Sequence, residues 1–201
     1  MSKQVRPAVI FSCLQELQFF LPNRAVNPGL ILKEILVGCK ESLKVLTMRT
    51  GAGERWTMAS LIIPRLPNVH TLALNATVIT LTGTPLSDLA TFLQNLTSYC
   101  PNLHNVELEF LVSLKWLSQG DEGILLALEG QGCTLLDEVF VQQQFHGVRK
   151  LSLHYRPLLP LSVPSPVELR TQEEYETLIL SRFPRISSRE NLRFSVHVTI
   201  C

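Results

Sequence analysis

The chain has 201 residues and a formal net charge of +1, and 46% of its residues are hydrophobic while 17% are charged. This balance excludes an intrinsically disordered chain, which needs low hydrophobicity and high charge. It also excludes a strongly basic protein, so we expect no nucleic-acid partner. The length favours one domain, residues 1–201, with a sizeable core.

Cysteine usage and the lack of a long apolar run define the expected compartment. The five cysteines are scattered and none has C-x-x-C spacing, which predicts neither a structural zinc site nor a redox motif. We therefore expect buried, reduced thiols in an intracellular protein of the cytoplasm or nucleus. No apolar run reaches the ~18 residues of a membrane span, so no membrane partner is expected.

One hydrophobic pattern recurs along the chain: apolar-x-x-apolar-x-apolar. Its last two apolar residues point to the same face of a strand, and the residue between them points to the other face. The final copy is shifted in phase. The copies are Leu14–Phe19, Leu43–Met48, Val69–Leu74, Leu103–Leu108, Val148–Leu153 and Leu192–Val196.

Helix start signals fall between these predicted strands. They include an N-cap followed by proline, and a capping box in which Thr and Glu are three residues apart. The segments begin at Asn27-Pro28, Thr84-Pro85, Asp121 and Thr171. Pro-Asn at 67–68 and again at 101–102 predicts corners where a helix ends and a strand begins.

Two stretches interrupt this alternation. Residues 111–145 are longer than one crossover and fit either two helices or a helix with a short strand, and the pattern leaves 136–145 undecided. Residues 156–166 contain four prolines. Because proline cannot donate a ladder hydrogen bond, we expect an extended linker there, before the final helix–strand unit.

Parallel strands joined by helical crossovers predict an α/β fold. Since each repeat buries its apolar face only against its neighbours, we expect a leucine-rich-repeat-like right-handed solenoid, or horseshoe. The parallel sheet would form the concave face and the helices the convex face. Solenoids bind proteins on such concave sheets. The candidate binding residues are the outward strand positions Gln18, Thr47, Arg49, Asn75, Asn105, Glu107, Glu109, Lys150, Ser152 and His154.

Catalytic chemistry has weak support in the sequence. His70 and His104 occupy equivalent repeat positions, which indicates neighbouring ladder positions rather than a converging site, and no thiol or carboxylate completes a metal set with them. Cys100 and His104 could form a thiol–imidazole pair, but Cys100 lies on the apolar face of its helix. We expect no catalytic residues, no metal and no cofactor.

The segments ESLKVLTMR, CPNLHNVEL and LSRFPRISSRENLRFSV together resemble one family. It is the leucine-rich-repeat region of F-box-type proteins, in the large family expanded in mushroom-forming fungi. Those chains end in a helix, then FPR, a short polar stretch and a final strand. Here these correspond to Thr171–Ser181, Phe183–Arg185, Ile186–Asn191 and Leu192–Val198.

The resemblance implies the substrate-recognition part of a cullin–RING ubiquitin ligase receptor, a non-enzymatic domain with an unknown protein target. The F-box pattern, LPxE before two apolar residues, has no counterpart ahead of the repeats. A Skp-type adaptor is therefore expected only if an F-box precedes the chain. Two alternatives stay open: a repeat-only scaffold without a ligase connection, and, more remotely, an α/β enzyme.

Overall fold

A computed structural model describes residues 11–21, 28–50, 61–78, 84–113, 131–158 and 171–199. These form six strands and five helices, together with a 3-10 turn at Gln143–Phe145. The strands are β1 Glu16–Leu21, β2 Val45–Thr50, β3 Thr71–Val78, β4 Asn105–Ser113, β5 Lys150–Leu158 and β6 Arg193–Val198. The helices are α1 Pro28–Cys39, α2 Thr84–Tyr99, α3 Gln131–Phe140, α4 Gln172–Leu180 and α5 Pro184–Ser187.

The six strands form one all-parallel sheet whose spatial order follows the chain, β1-β2-β3-β4-β5-β6. Its register matches the predicted alignment of the repeats, because Leu46, Leu72, Val106 and Leu151 are successive partners across the sheet. The predicted α/β class with parallel strands is therefore confirmed. No described helix is both long and apolar enough to cross a membrane.

The core lies on one side of this sheet. The inward pairs Leu46/Met48, Leu72/Leu74, Val106/Leu108 and Leu151/Leu153 are all buried, as predicted. They form one cluster with the buried faces of the helices. The four longer helices contribute residues at helical spacing, such as Leu32, Leu36 and Cys39 from α1. Burying this apolar area is the main stabilising contribution to the fold.

The same corner recurs before the strands. In five of them, a backbone N–H donates to the carbonyl three residues earlier, as from Leu14 to Phe11 and from Val148 to Phe145. The Asn68 amide donates to the Glu41 carbonyl at 2.7 Å, and the Asn102 amide donates to the Pro67 carbonyl at 2.8 Å. The Pro-Asn corners are thus bonded to the preceding corner, which agrees with their predicted structural role.

The proline-rich linker expected at 156–166 starts later than predicted. Strand β5 continues to Leu158 and includes Pro157, whose partner on β4 is Val112. The Tyr155 carbonyl accepts from the Thr199 N–H, so the backbone polar groups of Tyr155, and of Pro157 two residues later, point toward β6. Pairing with β6 ends at Tyr155 and Val198. The missing N–H of Pro157 therefore falls beyond the last ladder bond on that side, where proline is tolerated. Residues 159–166 lie outside the described residues.

The structure describes both ends of the long segment 111–145. Residues 111–113 belong to β4, and 131–145 form α3 and the 3-10 turn. The helix predicted from Asp121 lies outside the described residues.

Cys39, Cys100 and Cys133 are buried, but Cys13 is exposed, so the expectation of burial was wrong for Cys13. It precedes an edge strand, where little packs over it. Cys201 lies outside the described residues.

Candidate functional site on the polar face of the sheet

The side of the sheet opposite the core, called here the polar face, carries all ten predicted binding residues. Strand alternation places them there, since their neighbours in sequence are the buried core residues. The parallel register arranges them in three rows. The rows are Asn105–Lys150–Arg193; Gln18–Thr47–Ala73–Glu107–Ser152–Ser195; and Arg49–Asn75–Glu109–His154–His197.

A groove of about 370 Å³ crosses the polar face from β1 to β5. Seven of the ten predicted residues line it, and the other three, Asn105, Lys150 and Ser152, lie on the same face beyond its lining. Residues from five adjacent strands therefore enclose one space. The lining residues are Glu16, Leu17, Gln18, Val45, Thr47, Arg49, Ala73, Leu74, Asn75, Glu107, Glu109 and His154.

Five groove residues were not among the predicted binding residues: Glu16, Leu17, Val45, Ala73 and Leu74. Ala73 matters most, because it has the smallest side chain on the described polar face and lies between Thr47 and Glu107. A short side chain between longer neighbours leaves a depression in the sheet surface. The sequence carried this signal, since Ala73 stands where the other repeats have a longer side chain.

Amides hold the charged groups on either side of Ala73. With the Gln18 amide oriented so that its oxygen faces Arg49, that oxygen accepts from the guanidinium, at 2.9 Å from Nε and 3.0 Å from an Nη atom. The Asn75 amide donates to the Glu109 carboxylate at 2.6 Å. Both contacts join neighbouring strands at the surface. These two neutral amides orient a guanidinium and a carboxylate.

Glu107, on β4 next to Ala73, forms an ion pair with Lys150 on β5. Their nitrogen and oxygen atoms are 3.6 Å apart, and both side chains are about half exposed at 45% and 43%. Such an exposed pair contributes at most about 1 kcal/mol and is weakened by salt. Glu107 can therefore exchange this partner for an incoming cation at little cost.

The polar face continues past the groove to β6. Ser152 is buried, and its hydroxyl lies 3.1 Å from that of Ser195 on β6. The rings of His154 and His197 lie next to each other in the following row, with centroids 5.0 Å apart and planes 31° apart. These contacts fix the end of the face nearest the C-terminal strand, and only His154 of these four residues reaches the groove.

The candidate nucleophile Cys100 lies away from this face. It is 2% exposed, and burial raises the pKa of its thiol to about 12. Cys133 is similarly buried, and burial raises its thiol pKa to about 12. A catalytic cysteine needs the opposite shift, because the thiolate is the nucleophile. His70 and His104 do lie on adjacent ladder positions, since the His104 N–H donates to the His70 carbonyl at 2.9 Å.

Metal ligation also lacks a structural basis in the described part of the chain. No group of three or more His, Cys, Asp or Glu side chains is placed to hold a metal ion within those residues. Two of the groove carboxylates, those of Glu109 and Glu107, contact an amide and an ammonium group respectively. What the polar face offers chemically is a patterned set of hydrogen-bond donors, acceptors and charges.

No family model matches the chain. No curated protein and no solved structure matches it either.

Proposed function

We propose that this chain is a non-enzymatic protein-binding domain with a leucine-rich-repeat-like solenoid fold. The single observation that carries the proposal is the groove across the polar face. It draws side chains from five adjacent strands and has a mixed, patterned polarity. A surface assembled this way presents separate contacts along an extended partner, which is how solenoids bind proteins.

The solenoid part of the proposal is supported by the strand order and the corners. Doubly wound α/β folds reverse their strand order, whereas this sheet adds each strand beside the previous one. The same corner hydrogen bonds recur from turn to turn. A repeating unit that contacts only its neighbours has these two properties. The horseshoe form, with the polar face concave, belongs to this proposal.

We further propose that the domain is the substrate-recognition part of an F-box-type ubiquitin ligase receptor. The order of the last elements supports this, because α4 is followed by Phe183 and the short α5, then by β6. Phe183 is buried, and the Asp137 carboxylate accepts from the N–H groups of Arg185 and Ile186 at 3.2 and 2.8 Å. The FPR segment and the start of α5 are thereby hydrogen-bonded to α3.

The test uses the tagged full-length gene product with the substitution Ala73→Trp. Tryptophan suits a strand and fills the groove from its floor, so the fold should persist while target binding is lost. Cross-linking and quantitative mass spectrometry compare this variant with the wild type and with Arg193→Trp. Arg193 lies on the same face, outside the groove.

We expect Ala73→Trp to lose the target proteins and to keep the Skp-type adaptor. If the wild type and Ala73→Trp recover the target proteins equally, the groove is not the binding surface. Loss of targets without any adaptor in the wild type favours a repeat-only scaffold over a ligase receptor.

A further inference from the structure

The groove separates opposite charges by a fixed distance. Arg49 projects from β2, while Glu107 and Glu109 project from β4, with Ala73 and Asn75 of β3 between them. Two strand spacings are about 10 Å. Arg49 contacts Gln18 on β1, the strand on the side away from β4, so its guanidinium is directed away from both glutamates. The face therefore presents a positive and a negative end rather than one neutralised pair.

Each end is arranged to meet a group from outside. The Arg49 guanidinium is held by the neutral amide oxygen of Gln18, which orients it and leaves its charge in place. Glu109 is oriented by the Asn75 amide, and Glu107 makes an exposed contact to Lys150. Partner carboxylates pair well with a guanidinium, often through two hydrogen bonds. Partner ammonium or guanidinium groups pair with the glutamates.

The proposal here rests on the protein-binding function and names the partner's chemistry. We infer that the groove binds an extended peptide segment carrying one acidic and one basic side chain, two or three residues apart on the same side. The acidic group meets Arg49, and the basic group meets Glu107 and Glu109. Extended strands place such groups about 7 Å apart and polyproline II segments about 9 Å apart, which long side chains extend to the required separation.

The same lining argues against other partners. Three carboxylates, of Glu16, Glu107 and Glu109, would repel the phosphates of a nucleic acid. A purely acidic segment would meet the same repulsion. A purely basic segment would place a cation against Arg49, where like charges disfavour binding. Charge complementarity thus selects a segment of mixed charge.

The experiment selects peptides from a random displayed library on the full 201-residue chain. We expect enriched sequences to contain an acidic and a basic residue two or three positions apart. Selection on Arg49→Glu should replace the acidic member by a basic one. Selection on Glu107→Lys with Glu109→Lys should replace the basic member by an acidic one. Arg193→Glu, on the same face outside the groove, should enrich the wild-type pattern.

Milder variants guard against loss of folding. A synthetic copy of the most enriched peptide is titrated by calorimetry against Arg49→Gln and Glu109→Gln, with circular dichroism as the folding control. Each should weaken binding at least about tenfold, because a charged hydrogen bond is lost. The wild-type affinity should also fall as salt is added.

Three outcomes would overturn the inference. In the first, the enriched peptides lack a charge pair, or they bind Arg49→Gln and Glu109→Gln as tightly as they bind the wild type. Either result would contradict a mixed-charge partner, while the groove would still be a binding surface. Enrichment of purely acidic or purely basic peptides does the same. If no enriched peptide is sensitive to Ala73→Trp, both this inference and the proposed function fail.

Discussion

Asp137 is the clearest case of a buried polar residue with a defined structural role. Its carboxylate is 4% exposed and accepts from two backbone N–H groups at the start of α5. Substitution by alanine leaves those donors without an acceptor in a largely buried position. We expect Asp137→Ala to lower the free energy of unfolding by about 2–3 kcal/mol, measured by urea denaturation.

The neighbouring residue supplies a matched control for Asp137. Glu138 contacts Arg185 at 3.4 Å, but both side chains are substantially exposed, at 43% and 59%. Glu138→Ala should therefore change the free energy of unfolding by less than about 1 kcal/mol. Equal losses for the two variants would show that Asp137 does not cap α5.

Thiol reactivity separates the cysteines by burial. Cys13 is exposed, while Cys39, Cys100 and Cys133 are buried. Burial raises the pKa of the Cys100 and Cys133 thiols to about 12. Iodoacetamide at pH 8 should alkylate Cys13 in the native protein and spare the three buried thiols until denaturant is added. Peptide mapping by mass spectrometry checks this, and rapid native alkylation of Cys100 would revive a catalytic role.

The raised thiol pKa values also predict a pH dependence of stability. Unfolded thiols ionise near the ordinary value of 9.0, whereas folded Cys100 and Cys133 ionise near 12. The stability contributed by keeping these two thiols neutral in the core is fully present below pH 9 and is lost as pH rises from 9 to 12. Ionisation of each thiol should lower the free energy of unfolding by as much as about 1.4 kcal/mol per pH unit in that window.

Cys100→Ala isolates this pH effect from other alkaline titrations. Its free energy of unfolding should fall less steeply between pH 9 and 10 than that of the wild type. Urea denaturation at several pH values measures both slopes. Parallel slopes would mean that the Cys100 thiol ionises as readily in the folded chain as in the unfolded chain.

Single residues differed in how well the sequence predicted them. The capping box at Thr171 and Glu174 is present, with the Thr171 N–H donating to the Glu174 carboxylate at 2.7 Å. Asp137 was not identified, because its partners are backbone groups almost fifty positions away. Ala73 was placed on the correct face, but a cavity depends on neighbours from adjacent strands that no single repeat contains.

At the scale of elements, the corners that precede neighbouring strands are hydrogen-bonded to each other. Asn68 and Asn102 each donate to a carbonyl in the corner before their own. Asn68→Asp and Asn102→Asp replace the donor by a charged acceptor, so each should cost about 0.5–1.5 kcal/mol or somewhat more from the added repulsion. Thermal unfolding measures the loss.

Asn191→Asp provides the comparison for these corner variants. Asn191 is exposed and precedes Leu192 as Asn68 precedes Val69, but it lies in the phase-shifted corner before β6. We expect its substitution to change stability by less than about 0.5 kcal/mol, as for ordinary surface changes. A loss at Asn191 as large as at Asn102 would mean that the corner bonds are not the cause.

Periodicity predicted the strands better than their ends. The positions of Leu46, Leu72, Val106 and Leu151 followed from the two-residue alternation that any half-buried strand shows. The inclusion of Pro157 in β5 did not follow. It depends on where β6 stops, which is a property of the partner strand. Local sequence rules cannot supply that information.

At the scale of the whole molecule, one core supports the polar face. Leu72 lies in β3, beneath the groove, and is fully buried within the single cluster. Leu72→Ala should lower the free energy of unfolding by about 2–5 kcal/mol through lost burial and a residual cavity. Thr47→Ala, on the polar face of β2, should cost far less. Comparable losses would argue against a core confined to one side of the sheet.

The central claim is that the groove on the polar face binds a partner polypeptide. Its most direct test is the calorimetric affinity of an identified partner segment for the purified wild type, Ala73→Trp and Arg193→Trp. We expect at least about tenfold weaker binding for Ala73→Trp and less than about twofold change for Arg193→Trp. Equal affinity of the wild type and a folded Ala73→Trp variant would contradict it.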